Sequence, residues 1–148
     1  VRGKLGPDPL NADADPGQFY RAAAKSSRPI GVILMDQAAI SGVGNIFRAE
    51  SLYRQKIDPL RPGKTLSDDE LRRLWDDNKH LLTIGVRVGR IITTEQQDRP
   101  GIPETEAWPD HANYVYMRHG QKCPRCSATI RMEEIAGRKL YWCPGCQK

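Results

Sequence analysis

All four cysteines of this chain sit near its C-terminal end, as Cys123-Pro124-Arg125-Cys126, then sixteen residues, then Cys143-Pro144-Gly145-Cys146. Two thiolates two residues apart grip one side of a tetrahedral ion, and a second such pair carried back by a hairpin closes the shell. No coordination position is left open, so the spacing predicts a structural zinc ion rather than a catalytic one. An iron site and a pair of disulfides are the alternatives. Disulfides fit less well, because cysteines in one tight turn bridge poorly and nothing else in the chain looks secreted.

A chain of 148 residues and 16.7 kDa suits one ordinary domain, or a modest helical domain with a small appendage. It contains no apolar run long enough to span a bilayer and no signal-peptide pattern at its start, so a soluble cytoplasmic protein is expected. The start at Val1-Arg2, without methionine, fits a processed product or a piece of something longer. The net charge is +5. From Asn113 onward seven basic residues face only Glu133 and Glu134, which accounts for that whole surplus. A basic hairpin of this kind faces a polyanion, nucleic acid first, or is a solvated tail that aids solubility.

Residues 1–14, with Leu5-Gly6-Pro7-Asp8-Pro9-Leu10, have no period and read as a linker. Asp15-Pro16-Gly17-Gln18 offers an N-cap, a proline at the first helical position and a glutamine three residues on, opening a short helix to Lys25. Ser27-Arg28-Pro29 opens a second, fading near Asp36. Gly42-Val43-Gly44 has the glycines of tight turns, and Asn45 stands where it caps a third helix running to about Gln55. Ser67-Asp68-Asp69-Glu70 is a capping box, followed by Leu71, Leu74, Trp75 and Leu82 at helical spacing to about Arg90. Gly85 and Gly89, four apart, would admit a neighbouring backbone. Residues 93–113 hold three prolines and no period, a long and mobile loop. In 114–148, Tyr114 to Met117, Thr129 to Met132 and Lys139 to Trp142 alternate as strands, the last two around a turn at Ala136-Gly137.

Gly42-Val43-Gly44-Asn45-Ile46, preceded by Leu34-Met35-Asp36-Gln37 and followed far downstream by Tyr141-Trp142-Cys143-Pro144-Gly145-Cys146-Gln147-Lys148, resembles the C-terminal half of the Fpg/Nei family of DNA glycosylases. The resemblance covers nearly everything from Leu5 onward. It implies a mainly α fold: a helix-two-turn-helix domain over 15–92, the loop, and a zinc-held β-hairpin finger over 114–148. It further implies a monomer in the bacterial nucleoid that binds double-stranded DNA carrying a damaged base or an abasic site. The implied DNA contacts are Gly42, Gly44 and Asn45 on a phosphate, and Arg138 from the finger into the minor groove, with Lys139 and Arg131 as lesser candidates for phosphates. The implied metal ligands are Cys123, Cys126, Cys143 and Cys146. Read without the family, Asn45 only caps its helix, the glycines only make turns, and Arg138 is solvated surface.

The family's reaction uses an N-terminal proline amine, followed by glutamate, that attacks the sugar and expels the damaged base. This chain has no Pro-Glu start, and the nitrogen of Pro7 is an amide. No catalytic residue is therefore expected here, and the resemblance implies the DNA-binding half of a bifunctional glycosylase/AP lyase. Relatives acting on oxidised purines often carry lysine where this chain has Gly31, so the endonuclease VIII-like branch, acting on oxidised pyrimidines, is favoured. The competing expectation is a zinc-ribbon adaptor for RNA or protein.

Overall fold

The computed structural model describes residues 5–148. Four helices precede a two-stranded hairpin: α1 (Gly17–Ala24), α2 (Ile30–Ile33), α3 (Asn45–Arg54), α4 (Asp68–Val88), β1 (Arg131–Ile135) and β2 (Arg138–Trp142). Single-turn 3-10 helices occur at Gly63–Thr65, Gln96–Asp98 and Glu104–Glu106. No helix among the described residues is long and apolar enough to cross a membrane.

The longest helix starts as its sequence demands. Ser67 Oγ accepts the Glu70 amide at 3.1 Å while Glu70 Oε1 accepts the Ser67 amide at 2.9 Å, so two orphan donors are satisfied reciprocally. Its apolar stripe, with Leu71, Leu74 and Trp75, packs with Phe19 and Ala23 of α1, Ile30 and Ile33 of α2, and Leu52 of α3 into one buried cluster. Gly89 then ends α4 with φ 78°, in the left-handed region where glycine carries no steric penalty. No neighbouring helix backbone packs closely at Gly85 or Gly89: a Cβ at Gly85 would meet the Phe47 ring at 3.6 Å and the carbonyl of nearby Arg90 at 3.8 Å, both ordinary contacts, and one at Gly89 would meet nothing within 4 Å.

Two other helix starts differ from expectation. Helix α1 begins one residue late, with Pro16 in the capping place; Asp15 Oδ1 still accepts the Gly17 amide at 2.9 Å, but Gln18 forms no box. Helix α2 is a single turn, and its first amides are taken by the chain beyond α3: Ile30 N donates to Arg61 O and Gly31 N to Pro59 O. Helices α3 and α4 are joined by a buried ion pair, Arg54 with Asp77 at 3.0 Å, and by Asn78 Nδ2 donating to Ser51 Oγ at 3.2 Å.

The hairpin is antiparallel, with Met132 opposite Tyr141 and Ile135 opposite Arg138. Ala136 (φ 52°) and Gly137 (φ 79°) both lie in the left-handed region, the turn geometry whose twist matches that of two paired strands. Tyr114 to Met117 is not a strand. The amides of Tyr114, Val115 and Tyr116 donate instead to the buried Glu50 carboxylate, at 2.6, 2.7 and 3.0 Å, so they have no ladder to join. The segment 93–113 is irregular yet anchored: Thr93, Arg99, Ala107 and Ala112 are buried.

Candidate nucleic-acid interface and metal centre

Helix α3 links both candidate sites, one at each end. Toward its C-terminal end, Tyr53 reaches the cysteine cluster. The Sγ atoms of Cys123, Cys126, Cys143 and Cys146 all lie within 4.8 Å of one another. Cys123 and Cys146 are 3.7 Å apart, and Cys126 and Cys143 are 3.3 Å apart. These separations exceed a disulfide bond, about 2.05 Å, and lie near the S···S edge of about 3.8 Å of a zinc tetrathiolate. Gly145 is needed for closure, since a Cβ there would stand 2.7 Å from Cys126 Sγ. Burial pushes the Cys123 thiol up, but the Tyr53 hydroxyl at 3.1 Å and the amides of Arg125 and Cys126 outweigh it and hold the thiol at about 7. Tyr53 itself is raised, first by burial and then by Cys123, and so keeps the proton it donates.

Arg125, between two of the cysteines, fastens this knuckle to the segment before it. Its guanidinium bonds Asp98 at 2.7 Å, Glu95 at 3.1 Å and the Tyr114 hydroxyl at 3.0 Å. It also lies 4.7 Å from the Tyr114 ring centre and 5.6 Å from that of Tyr53. Sequence reasoning counted Arg125 only as charge. Its two carboxylate partners stand 27 and 30 residues upstream, and no local period marks them.

At the other end of α3, Gly44 is the capping residue and Asn45 the first helical one. Asn45 therefore does not cap. Its Nδ2 donates to Lys139 O at 2.9 Å, and its Oδ1 accepts from Arg48. That contact brings Asn45, Lys139 and the neighbouring Arg138 together, although they are more than ninety residues apart in sequence. Lys139 and Arg138 are exposed at the start of β2. The backbone amides of Asn45, Ile46 and Phe47 meet no acceptor among the described residues. A Cβ at Gly44 would meet nothing within 4 Å, so the chain itself does not demand glycine there. Gly42 is different. It needs its φ of 88°, its amide is taken by Gln37 Oε1 at 3.1 Å, and the Asp8 carboxylate lies beside it.

Arg48 was not foreseen. It is 1 % exposed, and it donates to Gly31 O at 2.8 Å and Lys139 O at 3.3 Å as well as to Asn45. Burial first, and the positive charge of Arg138 second, lower it to about 10. The available signal was its place on α3, in line with Ala49 and Leu52 on the buried side, where a charge needs a reason. On the finger, Arg131 lies over the Trp142 ring at 5.6 Å, and His119 lies against Tyr141. Trp108, 42 % exposed, is covered in part by Arg90 at 5.1 Å.

Residues 5–97 match the family described as the formamidopyrimidine-DNA glycosylase H2TH domain. The chain belongs to that family. Residues 120–148 match a second family, the zinc finger found in FPG and IleRS, and with the cysteine geometry this assigns the cluster one structural zinc ion. The glycosylase-family chain is 43% identical to Endonuclease 8 1 of Mycobacterium bovis over 99% of its own length and 54% of that protein. It is 38% identical to the formamidopyrimidine-DNA glycosylase of Thermus thermophilus, over 97% of its length and 54% of the relative's. The fold resembles Lactococcus lactis Fpg in complex with abasic-site DNA, with a TM-score of 0.76 and 28% identity over 97% of this chain and 52% of that one. It also resembles Thermus thermophilus MutM, with a TM-score of 0.76 and 31% identity over 97% and 53%. The chain thus spans about half the length of the relatives it matches.

Proposed function

We propose that this chain is the DNA-gripping half of a base-excision glycosylase and AP lyase that removes oxidised bases from duplex DNA. In this reading α2, the turns after it and α3 form the helix-two-turn-helix. The helical residues 15–92 and the finger 114–148 act as one monomeric clamp, and the nucleophile belongs to the other half of the protein. The observation that carries the reading is the Asn45 to Lys139 bond. It sets the free amides of a helix N-terminus beside two exposed cations, the arrangement that receives a phosphate on one side and a groove on the other. Pyrimidine lesions are the favoured substrates. Support comes from the higher identity to Endonuclease 8 1, and from Gly31, where a Cβ would already press Pro59 O at 3.1 Å and Leu140 at 3.3 Å. A side chain such as the lysine of the purine branch would need these neighbours to shift by a few tenths of an ångström.

The test uses the 148-residue chain with zinc. It binds a duplex bearing a tetrahydrofuran abasic analogue more tightly than an intact duplex, because a weakened stack lowers the cost of extruding a nucleotide. Affinity falls with salt at a log–log slope of about 0.9 per phosphate contacted. Borohydride with abasic-site DNA traps no adduct. A covalent adduct would overturn the division of labour, and tighter binding of single-stranded RNA would favour the adaptor alternative.

A further inference from the structure

We infer that Arg48 is a positioning residue that fixes which face of the Asn45 carboxamide meets a DNA phosphate. The inference deepens the proposed function and rests on it.

Arg48 ties three elements at one point: Gly31 O in α2, Asn45 Oδ1 in α3 and Lys139 O in β2. All three partners are neutral oxygens, and the buried Nε has none. No carboxylate pairs with this guanidinium among the described residues, while Arg138 adds like charge nearby. Burying an uncompensated charge costs stability, and an apolar side chain of similar volume packs a core as well or better. Stability alone therefore does not account for an arginine here. What the charge does is orient Asn45. A carboxamide has one acceptor oxygen and two N–H donors. Arg48 occupies the oxygen and Lys139 O occupies one N–H, which leaves the second N–H as the group available to an anion. With Arg48 removed only the Lys139 O bond still holds the amide, and nothing keeps its oxygen, which a phosphate repels, turned away from an incoming anion. The same guanidinium also reaches the Lys139 carbonyl, by its longest bond, at 3.3 Å.

The experiment compares anisotropy-measured affinities for the abasic-analogue duplex among the zinc-loaded wild-type chain, N45A, R138A, R48M, R48K and the double variant N45A/R48M. R48M weakens binding about 10- to 100-fold, the range for losing a charged hydrogen bond. The double variant is no weaker than N45A alone, because Arg48 acts through Asn45. R48K, which keeps a donor toward Asn45, recovers part of the loss. The salt slope of R48M stays that of the wild type, since no phosphate contact disappears. In NMR spectra without DNA, the Asn45 side-chain amide protons of the wild type lie away from the positions of a solvent-exposed asparagine and are protected from water exchange, and in R48M they move toward those positions and lose protection. Should R48M not fold, R48K carries the test, with weaker binding than the wild type and a smaller shift of the Asn45 amide signals in the same direction. A folded R48M that binds as the wild type does, while N45A and R138A weaken, overturns the inference. So does a loss that adds fully to that of N45A. If the wild type itself shows no preference for the abasic duplex, the DNA reading falls instead, and the amide signals still report whether Arg48 orients Asn45.

Discussion

The helices before residue 92 and the finger after residue 114 are stabilised by different means. The helical cluster is built from aliphatic and aromatic side chains that exclude water, Phe19, Ile30, Leu34, Leu52, Leu71 and Leu74 among them. The finger's cluster contains three tyrosines and two metal-binding cysteines, and two of its members, Ala49 and Tyr53, come from α3. A hairpin of ten paired residues has too little apolar surface to fold alone, so a metal and a ring of polar bonds take the place of a core. The comparison shows how a small basic hairpin can be held in one shape without a large domain behind it. It also shows that α3 is common property, buried on one side by helices and on the other by the finger.

Zinc removal breaks the comparison most sharply. Structural zinc sites contribute about 10–16 kcal/mol of apparent binding energy to folding. A chelator is therefore expected to abolish amide-exchange protection over 114–148 and at the Tyr53 end of α3, while far-UV circular dichroism retains the signal of α1 and α4. A single melting step that takes the whole chain would mean that the two regions are one cooperative unit.

The complementary cut is in the helical cluster. Leu34 and Leu74 are fully buried, and truncating either to alanine costs about 2–5 kcal/mol in lost transfer energy and cavity formation. Thermal denaturation should shift strongly while zinc content, measured by release to a colorimetric chelator, stays at one ion per chain. Loss of zinc in Leu74→Ala at temperatures where the helices remain folded would contradict the separation.

Between the two regions stands Glu50, fully buried, which accepts from the amides of Tyr114, Val115 and Tyr116 and from the Thr93 hydroxyl. Glu50→Gln puts an N–H₂ group where acceptors are required and leaves buried donors unpaired, each costing about 1–3 kcal/mol. Exchange at residues 114–116 should accelerate well before the helices or the hairpin respond. Unchanged exchange there would mean that the tether is redundant.

What the sequence revealed follows the range of the interactions involved. The two Cys-x2-Cys knuckles, the Ser67–Glu70 box and the Ala136-Gly137 turn are each set by residues within a few positions of one another, and they stand where the sequence analysis has them. The alternation of Tyr114 to Met117 misleads because a carboxylate sixty-four residues upstream takes the amides that a strand would need. The segment 93–113 reads as mobile because its anchors, Thr93, Arg99 and Ala112, obey no period. Asn45 is identified for its type and place but not for its partner, since Lys139 lies across the fold. Arg48 looks like one more helix charge until Gly31 and Lys139 close over it.

The smallest expected effect tests whether the helical region owes anything to charge. Glu70 is held at about 2, well below its ordinary 4.5, by the hydrogen bond from Arg61 above all, against a smaller opposing effect of burial, with help from Ser67. Arg61 Nη1 reaches Glu70 Oε2 at 2.8 Å, and both side chains are largely shielded from solvent. A carboxylate whose folded pKa is depressed contributes stability above its unfolded pKa and loses it as pH falls through the folded one. The contribution is therefore complete above about pH 4.5 and fades toward about pH 2. Replacing Glu70 with glutamine keeps most of the shape and part of the box but removes the charge. Near neutral pH it should cost about 1 kcal/mol, as a shielded ion pair and helix cap together suggest. At about pH 2 and below the variant and the wild type should unfold alike. A gap of equal size at pH 7 and at pH 2, measured by urea titration, would assign the effect to capping geometry alone, leaving the helical region's stability to its apolar cluster.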